Sequence, residues 1–218
     1  MKKGLVLWFM LLGLGLSAVA QDVPRGIYFG DKQVVAKFND VVDIFGDNKA
    51  LFDPEMNMLL LRDGFKYRLP EGFVSFNTGE TMRIRLEGKA SIDAAVVSKD
   101  PVSIESDGPG TLTIVSNGST TALKCPQLTI EDYNTSVRLS SSAANKEMIA
   151  LNCPGEVKVN GGALRMEVTN SSKAAEIGKL TLNGSVLETP KAVTFNSYGV
   201  VCDDKGRFVR LINIIPEP

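Results

Sequence analysis

Thr121 to Asp132 reads TALKCPQLTIED, and 28 residues further on Ile149 to Asn160 reads IALNCPGEVKVN. In both stretches a short alternating run ends in Cys-Pro and a second alternating run follows. Alternation of apolar and polar residues is the period of a strand with one buried face. The proline falls where no ladder N–H is required, which places it between two strands. The pattern extends outward from these two stretches. From about Ala94 onward the runs come in threes, separated by Gly, Asn, Pro and Ser: AAVVS, VSIESDG and GTLTIVS; TALKC, QLTIED and TSVRLSS; MIALNC, EVKVNG and ALRMEVT; AAEIG, KLTLNG and SVLETP.

The middle runs align at Ile104, Ile130, Val159 and Leu182, with separations of 26, 29 and 23 residues. A period in the twenties with three short strands per unit is one coil of a parallel β-solenoid. One coil cannot bury its own inward row, whereas stacked coils can. The expected stacking puts Leu123 over Leu151, Ile130 over Val159, and Val137 and Leu139 over residues such as Met166 and Val168. Leu123 and Cys125 then point inward and Lys124 outward. Asn160-Gly161 and Asn183-Gly184 occupy a repeated corner, where Asn and Gly tolerate positive φ. A β-sandwich also uses short strands at regular spacing, but it has no reason to repeat Cys-Pro at matching places.

The flanks are less regular. KALFDPEMNMLLLRD reads as two strands around a turn at Asp53 to Asn57, and GVVCDDKGRFVRLINI as a hairpin turning at Asp203 to Gly206. Solenoid ends need covering, so both flanks are expected to be caps. The organisation expected is residues 1–20 a signal peptide, 21–93 an N-terminal cap and first coil, 94–190 the coils, and 191–218 a C-terminal capping hairpin. Residues 21–218 then form a single domain.

The signal peptide rests on Lys2 and Lys3, an apolar run from Leu5 to Leu16, and Ala18-Val19-Ala20 before Gln21. That run is short for a membrane span, so the expectation is an exported chain, periplasmic or extracellular, with no stable membrane span after cleavage. Loss of the two lysines moves the net charge from −1 to −3. No electrostatic argument for nucleic acid remains. The chain has no histidine, which removes His-dependent triads and His-ligated metals. Its three cysteines, Cys125, Cys153 and Cys202, match no zinc spacing, and stacked free thiols are expected for the first two. No cofactor and no metal are expected.

The chain resembles a family of exported bacterial right-handed β-helix proteins, loosely labelled carbohydrate-binding-domain-like and of unknown function. The resemblance lies in the leader IYFGDKQVVAKFNDVVDIFGDNKALFDPEMNMLLL and in the Leu-Thr-Ile coils GTLTIVS, QLTIED and KLTLNG. It implies export and a right-handed parallel β-helix; with the flanks read above, the expected fold is all-β, a right-handed parallel β-helix (solenoid) of about five coils with an N-terminal strand/hairpin cap and a C-terminal hairpin cap. It brings no catalytic residues. VRLSSSAANKE and LRMEVTNSSK depart from the family pattern and are expected to be longer polar loops.

Two sets of candidate residues follow. Glu105, Glu131, Asn160 and Asn183 line up as an outward column with Lys158 nearby, and two carboxylates one coil apart repel unless a cation or a proton intervenes. Tyr133, between Asp132 and Asn134, and Tyr198 offer rings against which a sugar can stack. The expected function is a non-enzymatic solenoid module that binds a glycan or a cell-envelope partner through its outer faces. A small polysaccharide lyase or glycoside hydrolase is the first alternative, and a purely structural envelope protein the second.

Overall fold

The computed structural model describes residues 22–37, 40–118, 121–143, 148–169, 171 and 173–218. The expected signal segment lies outside them. Alternating runs separated by turn residues become strands in chain order. The N-terminal elements are β1 (Asp22–Phe29), β2 (Lys32–Lys37), β3 (Val42–Asp43), β4 (Ala50–Asp53) and β5 (Met58–Arg62). The coils follow as β6 (Phe65–Phe76), β7 (Met82–Glu87), β8 (Lys89–Ser98), β9 (Val102–Ser106), β10 (Gly110–Gly118), β11 (Leu123–Lys124), β12 (Leu128–Glu131), β13 (Thr135–Ala143), β14 (Leu151–Asn160), β15 (Ala163–Thr169) and β16 (Ala175–Asn183). Last come β17 (Ser185–Thr189), β18 (Thr194–Phe195), β19 (Val201–Cys202) and β20 (Leu211–Pro216).

The pairing is mostly parallel and builds a β-solenoid of about five turns with three faces. The first face stacks β5, β7, β9, β12 and the later halves of β14 and β16. The second stacks the early halves of β6 and β8, then β10, β13 and β15. The third stacks the late halves of β6 and β8, then β11 and the early halves of β14 and β16. Parallel pairing begins at β5, upstream of Ala94.

The two opening stretches are the same strands on successive turns: Leu123 pairs with Leu151, and Ile130 with Val159. On the first face the inward column runs Leu59, Ile84, Ile104, Ile130, Val159 and Leu182. Its members are almost fully buried except Leu182, which is half-buried because it closes the stack. On the second face the register differs from expectation by two residues. Val137 lies over Leu164 and Leu139 over Met166, while Val168 lies beside Ser141. VRLSSSA is therefore strand through Ala143 and not loop, and the buried Ser116 and Ser141 continue the inward row. Ala144 to Glu147, Asn170 and Ser172 of the expected polar loops lie outside the described residues.

The two Cys-Pro corners differ in form. Pro126 follows β11 and separates it from β12, whereas Pro154 sits inside β14, whose register slips between Cys153 and Glu156. The corner there is a bend in a continuous strand. Cys125 and Cys153 point inward and are free thiols, as is Cys202. The neighbouring Cys153 thiol, together with burial, pushes the Cys125 thiol well above the ordinary range.

Antiparallel strands cover both ends. At the N-terminus β1 and β2 form a hairpin, β1 pairs with the late half of β6, and β3–β4–β5 form a meander. At the other end the turn at Asp203 to Gly206 forms, held by Asp203 and Arg207. The strand after it does not return as a simple hairpin. β20 enters antiparallel between β15 and β17, the place where a further coil would have paired.

Candidate functional site

The outward residues of the second face form rows that cross the coils. The central row is Lys66, Ser91, Thr113, Arg138 and Arg165, set by consecutive parallel registers, with Asn213 of β20 as its last member. Beside it Lys89, Thr111, Ser136 and Ala163 form a second row. These strands are rigid because their inward neighbours, such as Ala90, Leu112, Val137, Leu164 and Ile214, are buried core. Side chains perpendicular to such a sheet are displayed at about 4.8 Å intervals.

Two depressions run along these rows. One of about 560 Å³ is lined by Thr113, Ser136, Arg138, Ser140, Arg165 and Asn213, among others. The second, about 460 Å³, is lined by Lys66, Lys89, Ser91, Thr111, Thr113 and Arg138. Thr113 and Arg138 belong to both, so the two depressions join into one groove across six strands, about 24 Å long at that strand spacing. The hydroxyls, amide and guanidinium groups can donate or accept from fixed positions. Arg165 holds Glu167 with Nη2 at 2.8 Å and Nε at 3.2 Å from the same carboxylate oxygen. Arg138 lies one strand away, exposed, with no ion pair among the described residues.

Tyr133 stands on the corner between the first face and the second, between β12 and β13, and lines neither depression. The residue is 64% exposed, yet one side of its ring lies over the backbone of Gly161 and Gly184. A Cβ on Gly161 would come within 2.9 Å of the ring, and one on Gly184 would strike the phenol oxygen. The Asn-Gly corners thus do two things. They supply positive φ, +79° at Gly161 and +63° at Gly184, and they leave a shelf on which the ring rests. Asp132, itself at φ 59°, accepts the Asn134 N–H at 2.9 Å and so shapes the turn that presents the ring. Asn134 is exposed beside it.

Tyr198 is elsewhere. It is 83% exposed and borders a separate pocket of about 270 Å³ with Asn152, Pro154, Glu176 and Gly178, over the third face. The structure therefore groups Tyr133, Asp132 and Asn134 and leaves Tyr198 apart.

The acidic column of the first face is not a pair of repelling carboxylates. Glu105 receives Arg83 Nη2 and Arg85 Nε, both at 3.0 Å, from the preceding coil. Glu131 accepts from Asn160 Nδ2 at 2.7 Å, and Asn160 in turn accepts from Asn183 at 2.8 Å. Lys158 stacks between Thr129 and Thr181. Each carboxylate has its own partner, because MRIRLEG lies one strand before Glu105 in register. Among the described residues no group of three or more His, Cys, Asp or Glu side chains converges as metal ligands would.

The groove row was missed by sequence reasoning, which followed the outward positions of the middle runs only. The same alignment applied to the third run of each coil, with FKY, ASI, LTI, VRL and LRM stacked on their first residues, brings Lys66, Ser91, Thr113, Arg138 and Arg165 into line. Comparison with family models, with curated proteins and with solved structures finds no match to this chain.

Proposed function

We propose that the chain is an exported, non-enzymatic β-solenoid module that binds a glycan laid across its coils on the second face. The observation that carries this reading is the continuous groove shared through Thr113 and Arg138, whose walls are hydroxyl, amide and guanidinium groups repeated strand by strand. A glycan presents ring hydroxyls at a regular advance of roughly one strand spacing. A row that repeats at that spacing meets successive sugars with similar groups. Tyr133, resting over Gly161 and Gly184 at the corner between the first and second faces, adds an exposed aromatic surface on which a sugar can stack. The likeness to exported β-helix proteins supports export.

Cleavage of the glycan is the second reading. A glycosidase needs two carboxyls about 5 to 9.5 Å apart facing the bond. The acids that line the groove are otherwise engaged: Glu167 with Arg165, and Asp63 with the Lys89 N–H at 2.9 Å. This favours binding over chemistry.

The test is affinity electrophoresis of the protein through gels carrying soluble polysaccharides, with product analysis of every glycan that retards it. Thr113→Trp fills the groove from its floor without touching the core. Retardation by a glycan, lost in Thr113→Trp at an unchanged urea midpoint, is the expected result. Retardation that survives the filled groove overturns the assignment of the face, and shortened products overturn the non-enzymatic reading.

A further inference from the structure

We propose that the groove selects an acidic glycan, one whose sugars carry carboxylates, and that Arg138 is the residue that recognises the acid. The inference rests on the reading that the second face is the binding face. The protein as a whole is slightly acidic, at −1 over the full chain. The groove nevertheless takes four cations, Lys66, Lys89, Arg138 and Arg165, against two carboxylates, Asp63 and Glu167.

The distribution of partners sharpens the point. Asp93, on the flank of the face, is held by Arg68 at 3.3 Å and by Asn117 at 3.0 Å. Glu167 is held by Arg165, and Asp63 is turned to the Lys89 backbone. The acids of this face are thus satisfied, while Lys66, Lys89 and Arg138 form no ion pair among the described residues.

Arg138 and Arg165 are direct register partners on adjacent parallel strands. Like charges in that position destabilise a sheet. Elsewhere on this solenoid the arrangement is different: Arg83 and Arg85 share Glu105 across the strand. On the second face only one arginine of the pair has an acid, drawn from its own strand. The guanidinium left over presents a planar fork to the groove, and that fork matches a carboxylate with two parallel hydrogen bonds. Lys66 and Lys89 lie on strands β6 and β8, two and one strands before β10. They extend the positive potential along the groove, so a chain carrying carboxylates at intervals meets cations at Lys66 and Lys89 and again at Arg138. The intervening hydroxyls of Ser91, Thr111, Thr113 and Ser136 face the neutral parts of each sugar.

The experiment is titration calorimetry of the protein with three soluble probes: polygalacturonate, the same polymer after reduction of its carboxylates to alcohols, and a single-stranded oligothymidylate. Polygalacturonate should bind, more weakly as salt rises, and the reduced polymer at least about ten-fold more weakly. Arg138→Gln should weaken polygalacturonate by about ten-fold and the reduced polymer by much less, while Arg138→Lys should recover part of the loss. Arg138 is exposed, so neither variant should lower the urea midpoint. Equal affinity for the two polymers, abolished in both cases by Thr113→Trp, overturns the acidic class while keeping the face as a glycan site. Polygalacturonate binding that is indifferent to Thr113→Trp and to Arg138→Gln overturns the face itself. Oligothymidylate binding as tight as polygalacturonate and equally dependent on Arg138 makes the groove a general polyanion site and overturns glycan recognition. Binding of none of the three probes overturns the proposal.

Discussion

Replacing Ile130 by alanine is the sharpest probe of the stacked core, because its cost can be set against that of Leu182→Ala in the same column. Ile130 is fully buried between Ile104 and Val159. The substitution removes about three carbons, or about 2.4 kcal/mol of transfer at about 0.8 per buried group. A coil clamped on both sides collapses little into the space left, and the cavity term brings the loss to about 4 kcal/mol, in the upper half of the usual range of about 2 to 5. Leu182 closes the stack and is only half-buried, so its truncation removes less transfer and opens no closed cavity, for about 1 to 1.5 kcal/mol. Urea unfolding followed by circular dichroism measures both. With a slope of about 3 kcal/mol per molar, Ile130→Ala moves the midpoint by more than about 1 M, and Leu182→Ala by under about 0.5 M. The slope should stay constant in Ile130→Ala if the coils unfold together. Equal shifts for the two variants refute the column as the source of stability.

Glu105→Gln should lower stability by about 1 kcal/mol, because one part-exposed carboxylate serves two guanidinium groups at 3.0 Å. Glu131→Gln should change it by less than about 0.5 kcal/mol, since glutamine still accepts from Asn160; a double variant more stable than the parent, by the same urea assay, contradicts this assignment of partners. Alkylation of the denatured, unreduced protein followed by mass measurement should label all three cysteines, and the native protein should label slowly because each thiol is buried. One label in place of three reveals a bridge between two of them, Cys125 and Cys153 being the neighbouring pair. Glu156 should contribute to acid sensitivity: hydrogen bonds from Thr181 and Lys179 hold its carboxyl below the ordinary 4.5. Its contribution is then present above that ordinary value and is lost as pH falls through the lower value of the folded state. Midpoints of the parent and of Glu156→Gln, measured from neutral pH down to about 3, should converge at the acid end.

The solenoid was legible because its signal is written twice over. Period-2 alternation marks each strand, and the longer repeat of Cys-Pro and Asn-Gly marks each coil, so the pairs Leu123 with Leu151 and Ile130 with Val159 follow from alignment alone. The register of the second face was not legible to the same degree. There Ser116 and Ser141 occupy inward positions, and a buried serine breaks the apolar pattern by which a row is counted. Of the candidate site, Tyr133 with Asp132 and Asn134 was visible as an aromatic in a turn, but the reason it lies flat was not. That reason needs Gly161 and Gly184 from two later coils to arrive beneath it. Arg83 and Arg85 were overlooked as partners of Glu105 for the same reason, since contact across a coil depends on register and not on sequence distance.

β20 shows how the end of the stack and the groove are parts of one solution. A parallel coil leaves its last strand edge open, and an open edge is a template for pairing with another chain. Here the edge of β15 is taken by a strand running the other way, whose Ile212 and Ile214 continue the inward columns over Met166 and Leu164. Reversal of direction breaks the repeat at that point, since β17 then pairs with β20 and not with β15. The same strand turns Asn213 outward into the row begun by Lys66, where it pairs with Glu188 and ends the run of cations. Inward residues of β20 therefore stop the coil and its outward residue stops the groove. Because alternation assigns these tasks to different side chains of one strand, the core requirement at Ile212 and Ile214 places no constraint on what Asn213 and the row beside it recognise.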